Sequence, residues 1–507
     1  MFLTALLAQF QTEASAKVTR LEVLSKAPYG TFKPGQYVRW DVRMVGELSP
    51  TTETIPDLRR AVRNERGTVD YATRVTLIML AEPGRGNGSL LIDVPNRGRA
   101  ISLSLYNSPR NSVIPLGSFD HGTGFLQDAG YSLLVVPWEL GQGTELPSVV
   151  EYDGKRLYIE ATALAVVRDV ADFFASSTAD SVGTPNPLMG AVNRTIAIGY
   201  SQSGRFLRSF LLHGFNSAEG RRVFSGMHIL GAASGYILLR LNQGPESGAG
   251  AATTFAEPDV RGINEEPIAI SEIVERISKR GENPPRLMFI NTTTDYFSLR
   301  ASLGRTGAVG SSDQPIPPNV RIYDMAGASH ALIRGQSQCK LPYAIMDWHP
   351  IMRSTLAILD RWVSTEVLPP PSELMPLQIS GDDPTVLRAP NHLPSSLVLI
   401  PVRDQDGHPT GGIRLPDVAV PIGSHGGQNA PLSFICALAS SYVPFAKTKD
   451  EREAANDARL SLAERYRDRN DYVDRVRVVT RELEKRGFLL SEDADVIVNA
   501  AVQTPPL

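Results

Sequence analysis

Residues 194–208 read RTIAIGYSQSGRFLR, and this stretch decides how the rest of the chain is interpreted. The apolar run 196–198 is typical of a buried parallel strand, and the sequence becomes helix-like from Gly204 onward. Between them lies a tight turn that contains Ser201. A serine at the tip of a strand-turn-helix unit projects its hydroxyl above the sheet, and the N–H groups of the following helix point toward whatever it attacks. Ser201 is therefore the candidate nucleophile.

Small residues around Ser201 support its position at the turn. The usual pattern is Gly-x-Ser-x-Gly, in which small residues two places before and after the serine let strand and helix approach closely. Gly199 and Ser203 occupy those places, with Gly204 one residue later. With Ser203 as the nucleophile, the bulky Arg205 would stand where a small residue is needed. On this stretch alone, a purely structural Gly-rich turn remains the alternative.

Two further polar residues follow predicted strands later in the chain. The run 286–291 (RLMFIN) leads to Asp295, and the run 319–325 leads through AGAS to His330. Strand and helix patterns alternate from the helix-like run 122–129 onward, which indicates an α/β fold with a mostly parallel central sheet and helices on both faces. The chain order Ser201, Asp295, His330, with each residue just past a strand, is the order expected of α/β-hydrolases.

Each of these three residue types has a chemical role in acyl transfer. A serine hydroxyl is a weak nucleophile at neutral pH and needs a base whose pKa lies near 7, as that of imidazole does. The imidazolium that forms needs a fixed anion on its far nitrogen, which a carboxylate provides. We therefore expect Ser201 to attack, His330 to carry the proton and Asp295 to orient His330.

An oxyanion hole is expected beside Ser201. The tetrahedral oxyanion needs N–H groups that are already aimed at it, each contributing about 3 kcal/mol. The backbone N–H of Gln202 is one expected donor, and the turn formed by Arg97 and Gly98, after the strand-like run 89–94, is expected to supply the other. A plain connecting loop at residues 95–98 is the alternative.

Other acids and histidines compete for these roles. Asp313 lies in a polar loop away from a strand end and Asp324 lies within a strand, so Asp295 is preferred. Of these competing histidines, His121, in a Gly-rich loop, is the one placed to reach the mouth of the site. Structural roles are nevertheless expected for five of the eight histidines, namely His121, His213, His228, His349 and His392.

Composition limits the partners. The 507 residues carry a formal net charge of −3 without a basic block, which argues against nucleic acid or an anionic membrane surface. The longest apolar runs are far shorter than the roughly 20 residues of a membrane span, so we expect a soluble protein. Small, neutral ligands are the expected partners. The chemistry implies no metal and no organic cofactor, and the oligomeric state stays open.

The cysteines and the amino terminus bear on the compartment. Cys339 and Cys436 make neither a metal cage nor a C-x-x-C motif, so we expect either buried free thiols or one disulfide. Residues 1–16 are similar to a signal segment, with an Ala-Ser-Ala triplet at 14–16, but lack a basic n-region. Residues 1–16 are thus expected as a signal segment or a disordered terminus, and both a cytoplasmic and an exported location stay open.

One large catalytic domain with two additions is predicted. Residues 17–368 carry the alternating pattern, with β-rich edge structure first and a hairpin from residues 73–81 and 89–94. An insertion at 234–285 lies near the expected site mouth and predicts a lid or pocket wall, or a surface elaboration. Residues 369–507 are predicted as a C-terminal extension packed on the catalytic domain, with strands at 397–403 and 412–420 around an Asp406-Gly407 hairpin turn, then helices.

Several segments carry a family resemblance: GNGSLLIDVPNRG (86–98), GYSQSGRFLR (199–208), NTTTDYF to RASL (291–303), AGASH (326–330), RLPDVAVP (414–421) and VPFAKTK (443–449). Over most of its length the chain resembles the large bacterial and fungal "alpha/beta hydrolase domain" proteins with a GYSQSGRF elbow. The resemblance implies the sheet architecture and a Ser-acid-His triad, carried here by Ser201, Asp295 and His330. Members often have glutamate where this chain has Asp295, and the shorter side chain needs a closer approach to the imidazole.

These patterns together predict a serine hydrolase that cleaves carboxylic esters through a Ser-Asp-His triad and an acyl-enzyme intermediate. Amides, lactones and peptides are cleaved by the same machinery and remain alternative substrates. The alternative from another class is a hydrolase-like scaffold that binds a ligand or partner without chemistry. Three such residues at strand ends argue against that alternative.

Overall fold

The computed structural model describes residues 17–237, 239, 241–242, 266–307, 310–386, 397–430 and 434–503. The predicted signal-like segment 1–16 and residues 243–265 of the predicted insertion lie outside these residues. His392 also lies outside them.

The described residues form nineteen strands and fourteen α-helices. The strands are β1 (Val18–Phe32), β2 (Gly35–Leu48), β3 (Val69–Leu80), β4 (Ser89–Asp93), β5 (Ser132–Val135), β6 (Thr144–Glu145), β7 (Ser148–Val150), β8 (Arg156–Ile159), β9 (Arg194–Tyr200), β10 (Ser217–Ala218), β11 (Arg221–Arg222), β12 (Gly226–Leu230), β13 (Leu241–Asn242), β14 (Arg286–Thr292), β15 (Val320–Met325), β16 (Leu377–Ile379), β17 (Leu399–Pro401), β18 (Gly423–His425) and β19 (Tyr442–Pro444). The helices are α1 (Ser102–Asn107), α2 (Phe125–Asp128), α3 (Thr162–Ser176), α4 (Gln202–Leu212), α5 (Ile270–Lys279), α6 (Thr293–Ser298), α7 (Leu303–Thr306), α8 (His349–Thr365), α9 (Pro416–Ala419), α10 (Phe434–Leu438), α11 (Lys449–Ala454), α12 (Leu462–Arg465), α13 (Arg469–Lys485) and α14 (Ser491–Gln503).

A ten-stranded sheet organises the molecule. Its order is β1-β2-β3-β5-β4-β9-β12-β14-β15, with β6 paired to β3. The six strands from β5 to β15 in this order run parallel to one another, whereas β1, β2 and β3 pair antiparallel. This arrangement confirms the predicted mostly parallel central sheet.

Helices cover both faces of the sheet, as predicted. On β4, Leu90 and Ile92 pack into a core with α3, α4 and α5, whereas Leu91 packs into a second core with α1 and α8. Successive side chains of a strand point to opposite faces, so an uninterrupted apolar run serves two cores at once. The apolar runs that the sequence shows at the central strands follow from this burial.

The predicted hairpin of residues 73–81 and 89–94 is wrong. Both segments are strands, but β5 lies between them, antiparallel to β3 and parallel to β4. All five residues of β4 are buried, and an apolar strand of this kind gains most from parallel neighbours at the centre of the sheet. The turn at residues 83–88 therefore reverses the chain without pairing the strands that it joins.

Around Asp406 and Gly407 the chain does reverse with an antiparallel bridge between Arg403 and Pro409, but the two predicted strands, 397–403 and 412–420, do not pair with each other. The turn itself is present, because Gly407 N donates to Asp404 O at 3.0 Å. On its first side, however, β17 pairs with β16. On the other side, residues 416–419 form α9, since Pro416 cannot donate to a strand ladder and suits the first turn of a helix.

The C-terminal helices pack on the central sheet through the second core. Phe488, between α13 and α14, is fully buried and meets Tyr323 of β15 edge to face, with ring centroids 5.2 Å apart. Arg353 of α8 donates to Asp493 of α14 at 2.6 Å. A disulfide joins Cys339 to Cys436, which selects one of the two alternatives that the sequence left open.

The described parts of the insertion lie against neighbouring elements. Helix α5 packs on α4, where Arg280 Nη2 donates to Leu211 O at 2.8 Å, and β13 pairs with β8. In the described part of the chain, no helix is both long enough and apolar enough to cross a membrane.

Candidate active site

Adjacent parallel strands bring the predicted site residues to one edge of the sheet. Ser201 directly follows β9, Asp295 lies shortly after β14, and His330 lies shortly after β15. Strands β9, β12, β14 and β15 are consecutive neighbours in the sheet. Because parallel strands end at the same edge, the loops after them share one space.

Ser201 is held in a strained turn between β9 and α4. Its backbone has φ 56° and ψ −112°, a conformation that a residue with a side chain keeps only when its surroundings enforce it. Its N–H donates to Leu230 O of β12 at 2.8 Å. A Cβ on Gly199 would lie 2.7 Å from Ser203 O, so this close approach of strand and helix requires glycine there.

Ser203 and Gly204 together replace the second glycine of the Gly-x-Ser-x-Gly pattern. The Ser203 hydroxyl is buried and donates to Tyr200 O at 3.0 Å while it accepts from Tyr200 N at 2.9 Å. Gly204 supplies the close approach instead, because a Cβ there would lie 3.0 Å from the Ala232 side chain. The departure from Gly-x-Ser-x-Gly thus moves the small residue by one place and leaves the turn intact.

Asp295 is positioned by the start of α6. Thr292 caps this helix, and its backbone N–H donates to Asp295 Oδ2 at 2.7 Å while its hydroxyl accepts from Asp295 N. This reciprocal arrangement is a capping box. It leaves Asp295 Oδ1 directed at the His330 ring, 2.6 Å from Nδ1. The shorter carboxylate therefore does reach the imidazole.

His330 is enclosed on several sides. Its ring stacks on the Tyr200 ring with centroids 5.1 Å apart, and the Tyr200 hydroxyl donates to His330 O at 2.6 Å. Trp348 Nε1 donates to the carbonyl of the preceding residue, Ser329, at 3.1 Å. His330 is almost fully buried, and its Nε2 lies 2.9 Å from Ser201 Oγ.

The imidazole thus bridges Ser201 and Asp295. A carboxylate only accepts hydrogen bonds, so a ring N–H on Nδ1 fits the Asp295 side, and Nε2 is then the acceptor for the Ser201 hydroxyl. The arrangement can remove a proton from Ser201 and balance the charge that forms on the ring.

The loop after β4 reaches the elbow through Asn96, a residue that was not predicted. Asn96 Nδ2 donates to Tyr200 O at 2.6 Å. Asn96 and Arg99 exchange backbone hydrogen bonds across a turn whose two central residues, Arg97 and Gly98, have φ 53° and 71°. Positive φ at both central residues is typical of a type I′ turn.

Gln202 follows Ser201 directly. It is the first residue of α4, so its backbone N–H has no acceptor within the helix. The structure therefore brings the Gln202 N–H and the Arg97-Gly98 turn to the same end of the sheet, next to Ser201.

Glu139 is a further site residue that was not predicted from the sequence. Its Oε1 accepts from Gln202 Nε2 at 2.7 Å. Burial raises the pKa of Glu139 to about 7, against the opposing effects of the Arg97 charge, the Gln202 amide and the Gly98 N–H. A usable signal existed, because Glu139 comes shortly after β5, another strand that ends at this edge.

The competing acids are held by Arg305. Its Nη1 donates to Asp324 Oδ2 at 2.9 Å, and its Nε donates to Asp313 Oδ1 at 2.8 Å. The Tyr296 hydroxyl also donates to Asp324, at 2.8 Å. Both acids therefore have partners other than His330.

Four of the competing histidines lie in other surroundings. His228 is buried in β12 and hydrogen-bonds to the hydroxyls of Tyr106 and Thr355. The His121 ring packs against those of Tyr29 and Phe32. The other two are at helix ends, His213 at the end of α4 and His349 at the start of α8.

One group of potential metal ligands occurs among the described residues. Asp404, Asp406 and His408 place one ligand atom each within 4.8 Å of one another. Asp404 already pairs with Arg414 at 3.2 Å, and Asp406 pairs with Arg465. These arginines supply the positive charge that a cation would otherwise bring.

The chain matches one protein family and is similar in fold to several solved structures. The family model described as "Alpha/beta hydrolase domain" matches residues 131–499. A search of curated proteins finds no match. Among solved structures, the chain is similar to a glucuronoyl esterase from Solibacter usitatus, with 12% identity, coverage of 61% of this chain and 83% of that chain, and a TM-score of 0.30. It is similar to a glucuronoyl esterase from Teredinibacter turnerae, with 10% identity, coverage of 61% and 74%, and a TM-score of 0.28. It is also similar to a fungal esterase from Rhizomucor miehei, with 10% identity, coverage of 48% and 67%, and a TM-score of 0.22.

Proposed function

The chain belongs to the alpha/beta hydrolase domain family, and on that premise we propose that it is a serine hydrolase that cleaves carboxylic esters. One observation carries the proposal. The His330 imidazole lies between Ser201 Oγ, at 2.9 Å from Nε2, and Asp295 Oδ1, at 2.6 Å from Nδ1. Both distances are within hydrogen-bond reach, which a proton relay requires.

The first half of the reaction forms an acyl-enzyme. Ser201 Oγ attacks the ester carbonyl carbon while its proton passes to His330 Nε2, and Asp295 offsets the positive charge on the ring. The carbon–oxygen bond to the alcohol then breaks, and Nε2 returns the proton to the departing alcohol oxygen. The acyl group remains esterified to Ser201.

The second half releases the acid. His330 Nε2 takes a proton from a water molecule, whose oxygen attacks the acyl carbon. The bond from that carbon to Ser201 Oγ breaks, and the proton on Nε2 passes back to Oγ. The enzyme is restored without a metal or an organic cofactor in either half.

The tetrahedral oxyanion is stabilised by backbone N–H groups in this proposal. The Gln202 N–H is supported as one donor by its position at the start of α4, where the helix offers it no acceptor. The turn of Arg97 and Gly98 is the proposed source of the other donor, and because the Gly98 N–H already bonds to the Glu139 carboxyl, the Arg97 N–H is the candidate within it. Each donor contributes about 3 kcal/mol to transition-state stabilisation.

Ser201→Ala tests the nucleophile. We expect this variant to lose at least about 10³-fold in turnover of p-nitrophenyl butyrate, because no other hydroxyl is bonded to His330 Nε2 in the described residues. A fluorophosphonate probe should label the wild type and not Ser201→Ala. Ser203→Ala is the matched control and should still be labelled, since its hydroxyl bonds to Tyr200.

Retained turnover or labelling in a folded Ser201→Ala protein would reject the proposal. Absence of labelling in the wild type would favour a binding scaffold without chemistry. Amides, lactones and peptides use the same groups, and a panel of these substrates alongside esters separates them by kcat/KM.

A further inference from the structure

Two side chains beside Ser201 form a polar pair that the ester-cleaving steps do not use. Glu139 lies in the loop after β5, and Gln202 follows Ser201 directly. Gln202 Nε2 donates to Glu139 Oε1 at 2.7 Å, so each side chain fixes the other. The pair lies at the same sheet edge as His330 and Asp295.

Each member of the pair keeps one oxygen without a partner. Glu139 Oε2 and Gln202 Oε1 are both shielded from solvent, and neither hydrogen-bonds to any group in the described residues. Buried polar atoms in folded proteins almost always have a partner. Two such atoms on one hydrogen-bonded pair beside Ser201 leave two hydrogen bonds that a ligand could make.

The chemistry of the pair selects the ligand group. Gln202 Oε1 can only accept a hydrogen bond, whereas a carboxyl group accepts when it is ionised and donates when it is protonated. Since burial raises the pKa of Glu139 to about 7, both forms are present near neutral pH. A hydroxyl group can donate to Gln202 and can either donate to or accept from Glu139, so it satisfies the pair in both forms.

Other ligand groups fit less well. A carboxylate has no proton to donate to Gln202 Oε1 and is repelled by ionised Glu139. An ammonium group could donate to both oxygens, but Arg97 places a positive charge close enough to lower the pKa of Glu139 and would oppose it. An apolar group would leave both oxygens unpaired.

We propose that Glu139 and Gln202 form a subsite that binds a hydroxyl group of the ester substrate, so that the enzyme prefers hydroxylated esters. This inference rests on the proposed function, because the subsite is defined by its position beside Ser201. Discrimination arises because an ester without the hydroxyl leaves two buried oxygens unpaired in the complex.

Two pairs of esters that differ by one hydroxyl test the subsite. Methyl lactate and methyl propanoate place the difference in the acyl part, and glycerol monobutyrate and propyl butyrate place it in the alcohol part. Acid release is followed in a pH-stat. For at least one pair we expect the wild type to favour the hydroxylated ester about tenfold or more in kcat/KM.

The preference ratio within a pair is the readout in the variants, because it does not depend on the amount of active protein. Glu139→Leu removes both carboxyl oxygens and should bring the ratio close to one. Gln202→Met removes the amide acceptor and should also lower the ratio. It replaces Glu139→Leu as the test if that variant does not fold. Glu145→Leu is the matched control at an exposed carboxylate and should keep the wild-type ratio.

Three outcomes would overturn the proposal. A wild type that hydrolyses both members of both pairs equally well would reject the subsite and leave the esterase function standing. A preference that persists in both Glu139→Leu and Gln202→Met would assign it to other residues. A wild type that hydrolyses none of the four esters and takes no fluorophosphonate label would reject the proposed function and the subsite with it.

Discussion

Gly231 is the residue that lets His330 approach Ser201. It follows β12 with φ +59°, and its N–H donates to Ile290 O at 2.9 Å. A Cβ at this position would lie 2.7 Å from His330 Cε1 and 2.9 Å from Nδ1. These contacts are closer than carbon and nitrogen atoms tolerate, so a side chain here would displace the imidazole.

Gly231→Ala should therefore lower kcat, and the decrease should be larger than the loss of folding stability alone would cause. We expect at least a tenfold drop in kcat for p-nitrophenyl butyrate, because displacement of about 1 Å lengthens both His330 hydrogen bonds. Gly381→Ala is the matched control, since Gly381 has φ +54° and open space around its Cα. Both variants bear the same backbone strain, about 1 kcal/mol. Equal activity in the two would contradict the role of Gly231.

Glu139 makes folding stability depend on pH. Burial raises the pKa of this carboxyl from 4.5 to about 7 in the folded protein. Between these values the folded protein keeps the proton that the unfolded chain has released. The stabilising contribution is full below about pH 4.5 and is lost as the pH rises through 7.

The variant Glu139→Gln cannot ionise, so its free energy of unfolding should not fall in this way as the pH rises. As the pH rises from 4.5 to 8, we expect the wild type to lose about 3 kcal/mol of unfolding free energy relative to the variant. Denaturant unfolding of both proteins at several pH values measures the difference, in which the other titrating groups cancel. A difference that does not change with pH would mean that the pKa of Glu139 is the same in the folded protein and in the unfolded chain.

At the scale of elements, the loop after His330 is fixed by the segment around α10. Ala331 N donates to Leu438 O at 3.0 Å, and Ala344 N donates to Ser440 O at 2.8 Å. The disulfide from Cys339 to Cys436 joins the same two segments. The histidine loop is thus tied to a part of the chain about a hundred residues later.

Loss of the disulfide should lower stability substantially. The bond closes a loop with a sequence separation of 97 residues, and cross-links of this kind contribute about 2–4 kcal/mol, chiefly by restricting the unfolded chain. Denaturant unfolding of the wild type with dithiothreitol should match that of the Cys339→Ala, Cys436→Ala double variant. The double variant itself should not respond to dithiothreitol. Equal stability with and without reductant in the wild type would show that the bond contributes nothing.

At the scale of the whole molecule, the sheet and the C-terminal helices share one hydrophobic core. That core extends from Leu91 of β4 and Tyr323 of β15 to Phe488 and to Ile497 of α14. Because the core is continuous, the C-terminal helices cannot unfold without exposing one face of the central sheet. We therefore expect the described parts to unfold together.

Phe488→Ala tests this cooperativity. Removal of the fully buried ring should cost about 3–5 kcal/mol and should shift a single calorimetric transition to lower temperature. Val478→Ala on α13, where the side chain is 69% exposed, is the control and should shift the transition little. Two separate transitions, of which only one responds to Phe488→Ala, would contradict the shared core.

Local sequence patterns were sufficient to predict the elements around the site. The apolar run 196–198 and the small residues around Ser201 predicted strand, turn and helix, because burial on both faces and a sharp turn restrict residue type locally. Placement of Asp295 and His330 after strands then followed from the same periodicity. The catalytic roles of these residues stay predictions, which the Ser201 experiment addresses.

The local patterns did not predict which strands pair with each other or which distant residues come into contact. The turn at residues 83–88 predicted a hairpin, yet β5 entered between β3 and β4. The turn at Asp406 similarly predicted strands where Pro416 begins a helix. A turn signal reports only a reversal of the chain, whereas the choice of partner depends on which distant strand buries the most apolar surface.

By itself, then, the sequence determined the strand, turn and helix around Ser201, the fold class and which polar residues stand at the ends of the central strands. Only the tertiary structure decided that β5 neighbours β4, that Cys339 bonds to Cys436, and that Glu139 meets Gln202. The physical reason is the separation of the interacting residues along the chain. Strand and helix periodicity depends on neighbouring residues and can be read locally. Each of these contacts joins residues that are far apart in the sequence and forms only when the two cores pack on the sheet.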